Sequence, residues 1–513
     1  RAGAGQQTVQ LLTEEMSRSL EHLRFIEHAS DQLPNRTDHT FTWERTDIQP
    51  AGTGYRYEVT IHGEEFGGYR EYLKIPEAWS RDYEQLRSSN QTAGTVDSLF
   101  LLLTIVAMFV ILLQKARWGD IKWKTAIIFG LVGFVLTLGS QLNTLPLDIF
   151  NYSTTDSYTD FITQHVLTAI LNGLLAGGGI LFLTAAAEPL YRERYKDKLS
   201  LSRAFTLEGL KTKKFFIAVF VGLVLTFFFM AYQTVFYLVA SEFGAWSPAD
   251  VPYSDLINTA IPWIFVLLMG FFPAVSEEFI SRMFSIPFLE KYLKLRWLAL
   301  LIPAFIWGFG HAAYPNQPFW IRGVEVGVVG VIVGVVMLRY GIVAALIWHY
   351  TVDAVYTAML MFRSGDAYLM ISGGISSGIF LIPLAVAIIF YVRNGGFLKD
   401  TNLTNEAEGV APPKPKAEPE PVKIQYDRRP RSTLIGGFGA AVILLLAFFL
   451  PHQTPTDFVN FRLGKGQVAD KADQWLAERT DSTEYYESAI TVFSTQRSQD
   501  LKYLLEQTSV DTA

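Results

Sequence analysis

IPWIFVLLMGFFPAVSEEFISRMFSIPFL, residues 261–289, is apolar except at its middle, where SEEFISR (276–282) sets two adjacent carboxylates and an arginine. A charge at bilayer depth is costly unless it is paired or lines a wet cavity. The stretch therefore reads as a membrane-crossing helix with a polar site inside the bilayer. On a helix Glu278 and Arg282 stand four residues apart with the acid first, the favourable order for an ion pair. Glu277 is turned by about 100° from Glu278 and faces elsewhere. The geometry thus splits the two acids. One is held by Arg282, and the other is left without a local partner, as suits a general base or acid.

The rest of the chain fits a membrane setting. Half of its 513 residues are hydrophobic and 18% are charged, and the mean hydropathy is +0.22. Soluble domains are usually more charged. Apolar runs of bilayer length recur at 97–114, 125–142, 163–184, 215–240, 257–280, 297–313, 321–338, 342–362, 371–392 and 433–450. The expected fold class is an all-α polytopic membrane protein of ten transmembrane helices, with small α+β soluble regions at both ends. Gly323, Gly327, Gly330 and Gly334 stand four or three apart in the seventh run, a spacing that lets helices approach closely.

Residues 1–95 read as a soluble α+β domain. Helical spacing of Leu, Met, Phe and Ile runs over 7–33, and TFTWER, YRYEVTIHG and GYREYLKIP read as strands. Residues 96–214 hold three spans and a basic loop, and 215–392 hold the polar core. The segment 393–432 is a Pro-rich linker, 433–450 a last span, and 451–513 a soluble region with helices at KADQWLAER and SQDLKYLLEQ and a strand at SAITVF. The loops QKARWGDIKWK, YRERYKDKLSLSRAFTLEGLKTKK and EKYLKLR are basic, whereas NTLPLDIFNYSTTDSYTD and SEFGAWSPADVPYSD carry acid and no base. The positive-inside rule then puts both soluble ends outside the cytoplasm. The first residue is Arg1 rather than Met, as expected where a signal or first span precedes it. The net charge of −6 is small and spread out and argues against a nucleic-acid partner. The absence of Cys excludes disulfides, thiolate nucleophiles and Cys-based metal sites.

Two further polar sites lie in later spans. FIWGFGH ends on His311, with Trp307 four residues earlier on the same helix face, and HYTVD places His349 and Asp353 four apart. A lone intramembrane His is more often a hydrogen-bonded packing residue. Three polar sites on the fifth, sixth and eighth spans favour a joint cavity, in which Glu, His, His and Asp bind a metal or activate water. The GxSxG match GISSG (374–378) reads as a Gly/Ser-rich helix start. No HExxH or GxGD motif occurs.

These residues resemble the CPBP family of intramembrane proteases, which includes CAAX-processing endopeptidases and bacterial bacteriocin-processing and Abi-type proteins. Glu277, Glu278 and Arg282 match its EExxxR motif. His311 matches FxxxH, with Trp307 where Phe is usual, and His349 matches HxxxN, with Asp353 in the last place. The resemblance covers about 215–392 and implies a CAAX-protease-type core bundle in a bacterial cell membrane. It also implies an endopeptidase acting on membrane-associated or lipidated peptides. Under it Glu277 and His311 activate water, His349 and Asp353 steady the oxyanion, and Glu278 and Arg282 shape the site. Two forms stay open. In one, zinc is held by Glu277, His311 and His349. In the other, a glutamate-based site works without metal. The rival class is a proton-coupled transporter or a signalling scaffold. A transporter would favour broken helices in two related halves, and no internal repeat is visible.

Overall fold

A computed structural model describes residues 22–153, 156–248, 254–408, 463–478 and 498–507, with scattered positions between 432 and 443. Residues 23–74 form an antiparallel meander of β1 (Leu23–Gln32), β2 (Thr37–Arg45), β3 (Gly54–His62) and β4 (Glu65–Lys74), paired in sequential order. Alternation in YRYEVTIHG puts Tyr57 and Val59 on one face, opposite Trp43 and Phe41 of β2. The expected helix over 7–33 is corrected here, because 23–32 is the edge strand β1. That strand is mostly exposed, so no alternating apolar face marks it, and pairing with β2 decides its conformation. Residues 1–21 and SAITVF lie outside the described residues.

The helices follow. α1 is Glu77–Arg117, α2 Trp123–Asn143, α3 Tyr158–Arg194, α4 Lys213–Ser241 and α5 Pro262–Leu293. α6 is Arg296–Phe309, α7 Ile321–Tyr340, α8 Ile342–Thr357, α9 Ala367–Ser377 and α10 Leu381–Asn394. α11 (Lys465–Ala477) and α12 (Ser498–Gln507) fall on the two helical stretches expected near the end. One helix runs through the boundary expected at residue 95. α1 contains no Pro and runs unbroken for 41 residues, a rod about 60 Å long that starts beside the sheet and is long and apolar enough to cross a membrane.

Among the described residues six helices are long and apolar enough to span a bilayer, or seven if α9 and α10, bent by 61°, make one. The expected ten spans are therefore not reached. α6 and α8 are shorter apolar helices. α8 is a core element, with Ile342, Ala344, Ala345 and Ile347 fully buried, and it packs against α4 and α5. A hydropathy window does not separate such a helix from a span. The run 433–450 lies largely outside the described residues. α5 ends at Leu293 rather than 280, because its central charges depress hydropathy without ending the helix.

The soluble parts meet at one end of the bundle. Tyr503 of α12 packs with Leu73, Ile75 and Trp79, and the Trp79 indole donates to Glu506 at 2.7 Å. At the far end Lys115 pairs with Asp120 (2.8 Å) and Glu193 (2.9 Å), and Arg192 with Glu188 and Asp120 (2.8 Å each).

α6 and α7 pack backbone to backbone. A Cβ on Gly308 would lie 2.5 Å from the Gly323 carbonyl oxygen and 2.6 Å from the Gly327 nitrogen. The glycine spacing of α7 is a packing seam, since Phe305 fills the space over Gly327. Gly179, by contrast, has open space around it. Gly308→Ala is expected to cost about 1–3 kcal/mol through overpacking, and Gly179→Ala about 0.5 kcal/mol or less. Melting in detergent compares them, and equal transitions would refute the close seam.

Candidate active site

Glu277 and Glu278 end the first α-helical part of α5. Directly after them Phe279–Phe284 form a π-helical turn, and regular helix resumes at Ser285. Such a turn carries one extra residue in the hydrogen-bond ladder and often marks a functional site. The Ser285 hydroxyl donates to the Ile280 carbonyl at 2.7 Å. The sequence reading assumed a plain α-helix, yet the i, i+4 pair survives. Arg282 Nη1 donates to Glu278 Oε1 at 3.0 Å, with both side chains almost wholly buried.

Glu278 does more than hold Arg282. The same Oε1 accepts from Nδ1–H of His349 on α8 at 2.8 Å. A carboxylate only accepts, so Nδ1 carries the hydrogen and Nε2 points the other way. There Nε2 stands 3.4 Å from Asp353 Oδ2 and 3.7 Å from Glu277 Oε2. Glu277, unlike its neighbour, leaves 33% of its side chain exposed.

Trp307 of α6 joins these groups. Its indole N–H donates to Glu277 Oε2, and the Arg282 guanidinium lies over its ring, 4.0 Å from the centroid. A Phe at this position has no N–H to give. His311 sits two residues past the end of α6 rather than inside a helix. Its Nδ1–H donates to the Trp307 carbonyl at 2.9 Å, which leaves Nε2 with its lone pair.

Two cavities open on this group. One of about 600 Å³ lies between α1, α5 and α6, with Glu277, Trp307, His311 and Asp97 on its wall amid Phe, Leu and Ile. A smaller one of about 90 Å³ is lined by His311, His349, Asp353, Arg322 and Tyr356. All predicted residues therefore line or adjoin one site: Glu277 and His311 face the larger cavity, His349 and Asp353 the smaller, and Glu278 with Arg282 lies beneath. The loop after His311 is clamped by α1. Asn90 Nδ2 donates to the carbonyls of Ala312 (2.9 Å), Tyr314 (2.9 Å) and Asn316 (3.0 Å).

Sequence reasoning missed a second polar group. Arg322 pairs with the buried Glu325 at 2.5 Å, Gln233 donates to Glu325 at 3.4 Å, and Tyr356 donates to Gln233 at 2.7 Å. Arg322 and Glu325 sit in an apolar run, so the signal that exposed SEEFISR was present there too. Asp97, at the edge of the first apolar run, was also passed over. The hydroxyl of Ser376 in GISSG donates to the Ser372 carbonyl at 2.7 Å, as in ordinary helix packing.

The residues expected to hold zinc, Glu277, His311 and His349, stand around one site. Among the described residues no three of His, Asp and Glu are arranged to hold a metal ion.

A family model described as "Type II CAAX prenyl endopeptidase Rce1-like" matches residues 259–355. Among curated proteins, the sporulation-killing factor biosynthesis protein SkfC of Bacillus subtilis (strain 168) is 24% identical over 97 residues, which cover 19% of this chain and 20% of that protein. No solved structure matches the chain.

Since Glu278 serves two partners, Glu278→Gln is expected to lower stability by about 3–5 kcal/mol, the usual cost of breaking a buried pair. Adding Arg282→Met should restore part of the melting temperature but not turnover, because His349 still lacks its anionic acceptor. Melting and peptide cleavage in detergent check this, and full activity in the double variant would rule out the anchoring of His349 by Glu278.

Proposed function

We propose that residues 259–355, a domain of the Rce1-like type II CAAX prenyl endopeptidase family, hydrolyse peptide bonds of membrane-associated proteins or peptides at the Glu277 site. One observation carries the reading. Of two adjacent acids, Glu278 is buried and bound to Arg282 and His349, while Glu277 faces an apolar cavity that also receives His311. A structural bridge needs only the first acid.

Water between Glu277 and the free Nε2 of His311 loses a proton to the Glu277 carboxylate. The hydroxide bonds to the scissile carbonyl carbon, and the C=O electron pair moves onto oxygen. His349, an imidazolium among the carboxylates of Glu278, Asp353 and Glu277, gives Nδ1–H to Glu278 and turns Nε2–H to that oxyanion, which it steadies. Glu277 then returns the proton to the amide nitrogen, the C–N bond breaks, and acid and amine leave. The Trp307 indole fixes the Glu277 carboxylate for both transfers. No step runs through a metal. Turnover that persists after exhaustive chelation supports this route, and turnover lost to chelation and restored by zinc alone would replace it.

Glu277→Gln keeps the side chain's shape and removes the base. It should cut cleavage of a membrane-anchored peptide in liposomes by about 100-fold or more with little change in melting temperature. An active Glu277→Gln enzyme would refute the assignment.

The meeting of the sheet with α12, and the basic loops at the opposite end of α1, support a topology with both soluble ends outside the cytoplasm. The chain has no cysteine, so single substitutions Gln32→Cys, Glu478→Cys and Lys211→Cys report directly. An impermeant thiol reagent should label the first two in intact cells and spare the third, and the reverse pattern would invert the topology.

A further inference from the structure

We propose that Asp97 is a specificity-determining residue, a carboxylate that binds the cationic group of an apolar peptide lying in the cavity before Glu277. This rests on the peptidase reading of that cavity. Asp97 belongs to α1, outside the matched segment 259–355. It is 8% exposed and makes no hydrogen bond or ion pair with any described residue. A buried carboxylate left without a partner is expensive, and such groups in membranes usually serve a ligand or a pathway.

Its position shows which ligand. Asp97 lines the cavity of about 600 Å³ that holds Glu277 and His311. It also lines a neighbouring cavity of about 610 Å³ that reaches Ser88 and Thr92 on the sheet side of α1. A Cβ on Gly310, the residue before His311, would lie 3.1 Å from Asp97 Oδ2, so the acid stands beside the loop that carries His311. Phe100, Leu103, Phe284 and Ile306 make the surrounding wall apolar. Among the described residues no Lys or Arg lines either cavity. The unmet demand is therefore for a cation attached to apolar chain. A lysine or arginine side chain supplies it, and so does a free amino terminus.

Binding is measured in Glu277→Gln protein in detergent, which needs no turnover. The probes are fluorescent leucine-rich peptides, N-acetylated, with a single lysine moved along the chain, each matched by a norleucine counterpart. A further probe is all-neutral with a free amino terminus. At least one cationic probe should bind about tenfold or more tighter than its neutral match. A preference confined to the free-amine probe assigns the subsite to the amino terminus, and one at a lysine position assigns it to a side chain. Asp97→Asn should remove the preference, Asp97→Glu should retain it, and Asp97→Lys should invert it toward glutamate-bearing peptides. Melting temperatures establish that each variant is folded. A preference that persists in Asp97→Asn, or no cationic preference at any position, overturns the proposal. Binding that shows the preference without any cleavage by the parent protein would overturn the peptidase reading instead.

Discussion

One carboxylate oxygen, Oε1 of Glu278, receives a guanidinium from its own helix and an imidazole from another. The group is fully buried, and each partner alone would be a stranded polar group in an apolar interior. Sharing the anion fixes the spacing of α5 and α8. It also fixes which nitrogen of His349 is free, so the direction of its Nε2 toward Asp353 and Glu277 is set from behind. The π-helical turn falls between Glu278 and the resumed helix, where the chain must bring Arg282 back under its partner while Glu277 faces the cavity. Arg282 in turn lies over the Trp307 ring, whose N–H reaches Glu277, so the buried and the exposed acid are joined through one indole.

The surrounding architecture keeps this cluster out of lipid. α8 is surrounded by protein on most sides, and α4 and α5 cover it. The glycine seam brings α6 close to α7, which places Trp307 and His311 near Arg322 without a layer of side chains between the backbones. The lipid-facing surface is built by the longer helices, with Leu99, Leu102, Leu103 and Phe109 of α1 exposed. The polar cluster is thus built from the long α5 together with the shorter α6 and α8.

Much of the site was legible because charges in apolar runs are costly and stand out. Glu277, Glu278, Arg282, His311, His349 and Asp353 were found on that ground, and helical spacing alone forecast the Glu278–Arg282 pair. The bond from His349 to Glu278 was not legible, since it joins residues 71 apart and no local pattern encodes a contact between helices. Nor was the Trp307 indole bond, because a periodic reading treats an aromatic as bulk. The expected ten spans are not matched among the described residues, because length and hydropathy coincide for a core helix and a spanning one, as in α8. β1 was misread because an exposed edge strand offers no alternating apolar face. Arg322 and Glu325 had a signal that was overlooked, whereas Asp97 gained meaning only from the cavity it lines.

The three hydrogen bonds from Asn90 to the carbonyls after His311 cross from α1 into the segment that carries the family match. The matched stretch is therefore not a portable module. Cut free as 259–355, it would leave those carbonyls unsatisfied and lose the wall that α1 gives to the cavity. The family match covers the residues of the candidate site, while the contacts that hold the loop after His311 begin in α1, outside it. Transplanting the motif-bearing helices into another bundle would carry the motif side chains without the strut that holds the loop after His311.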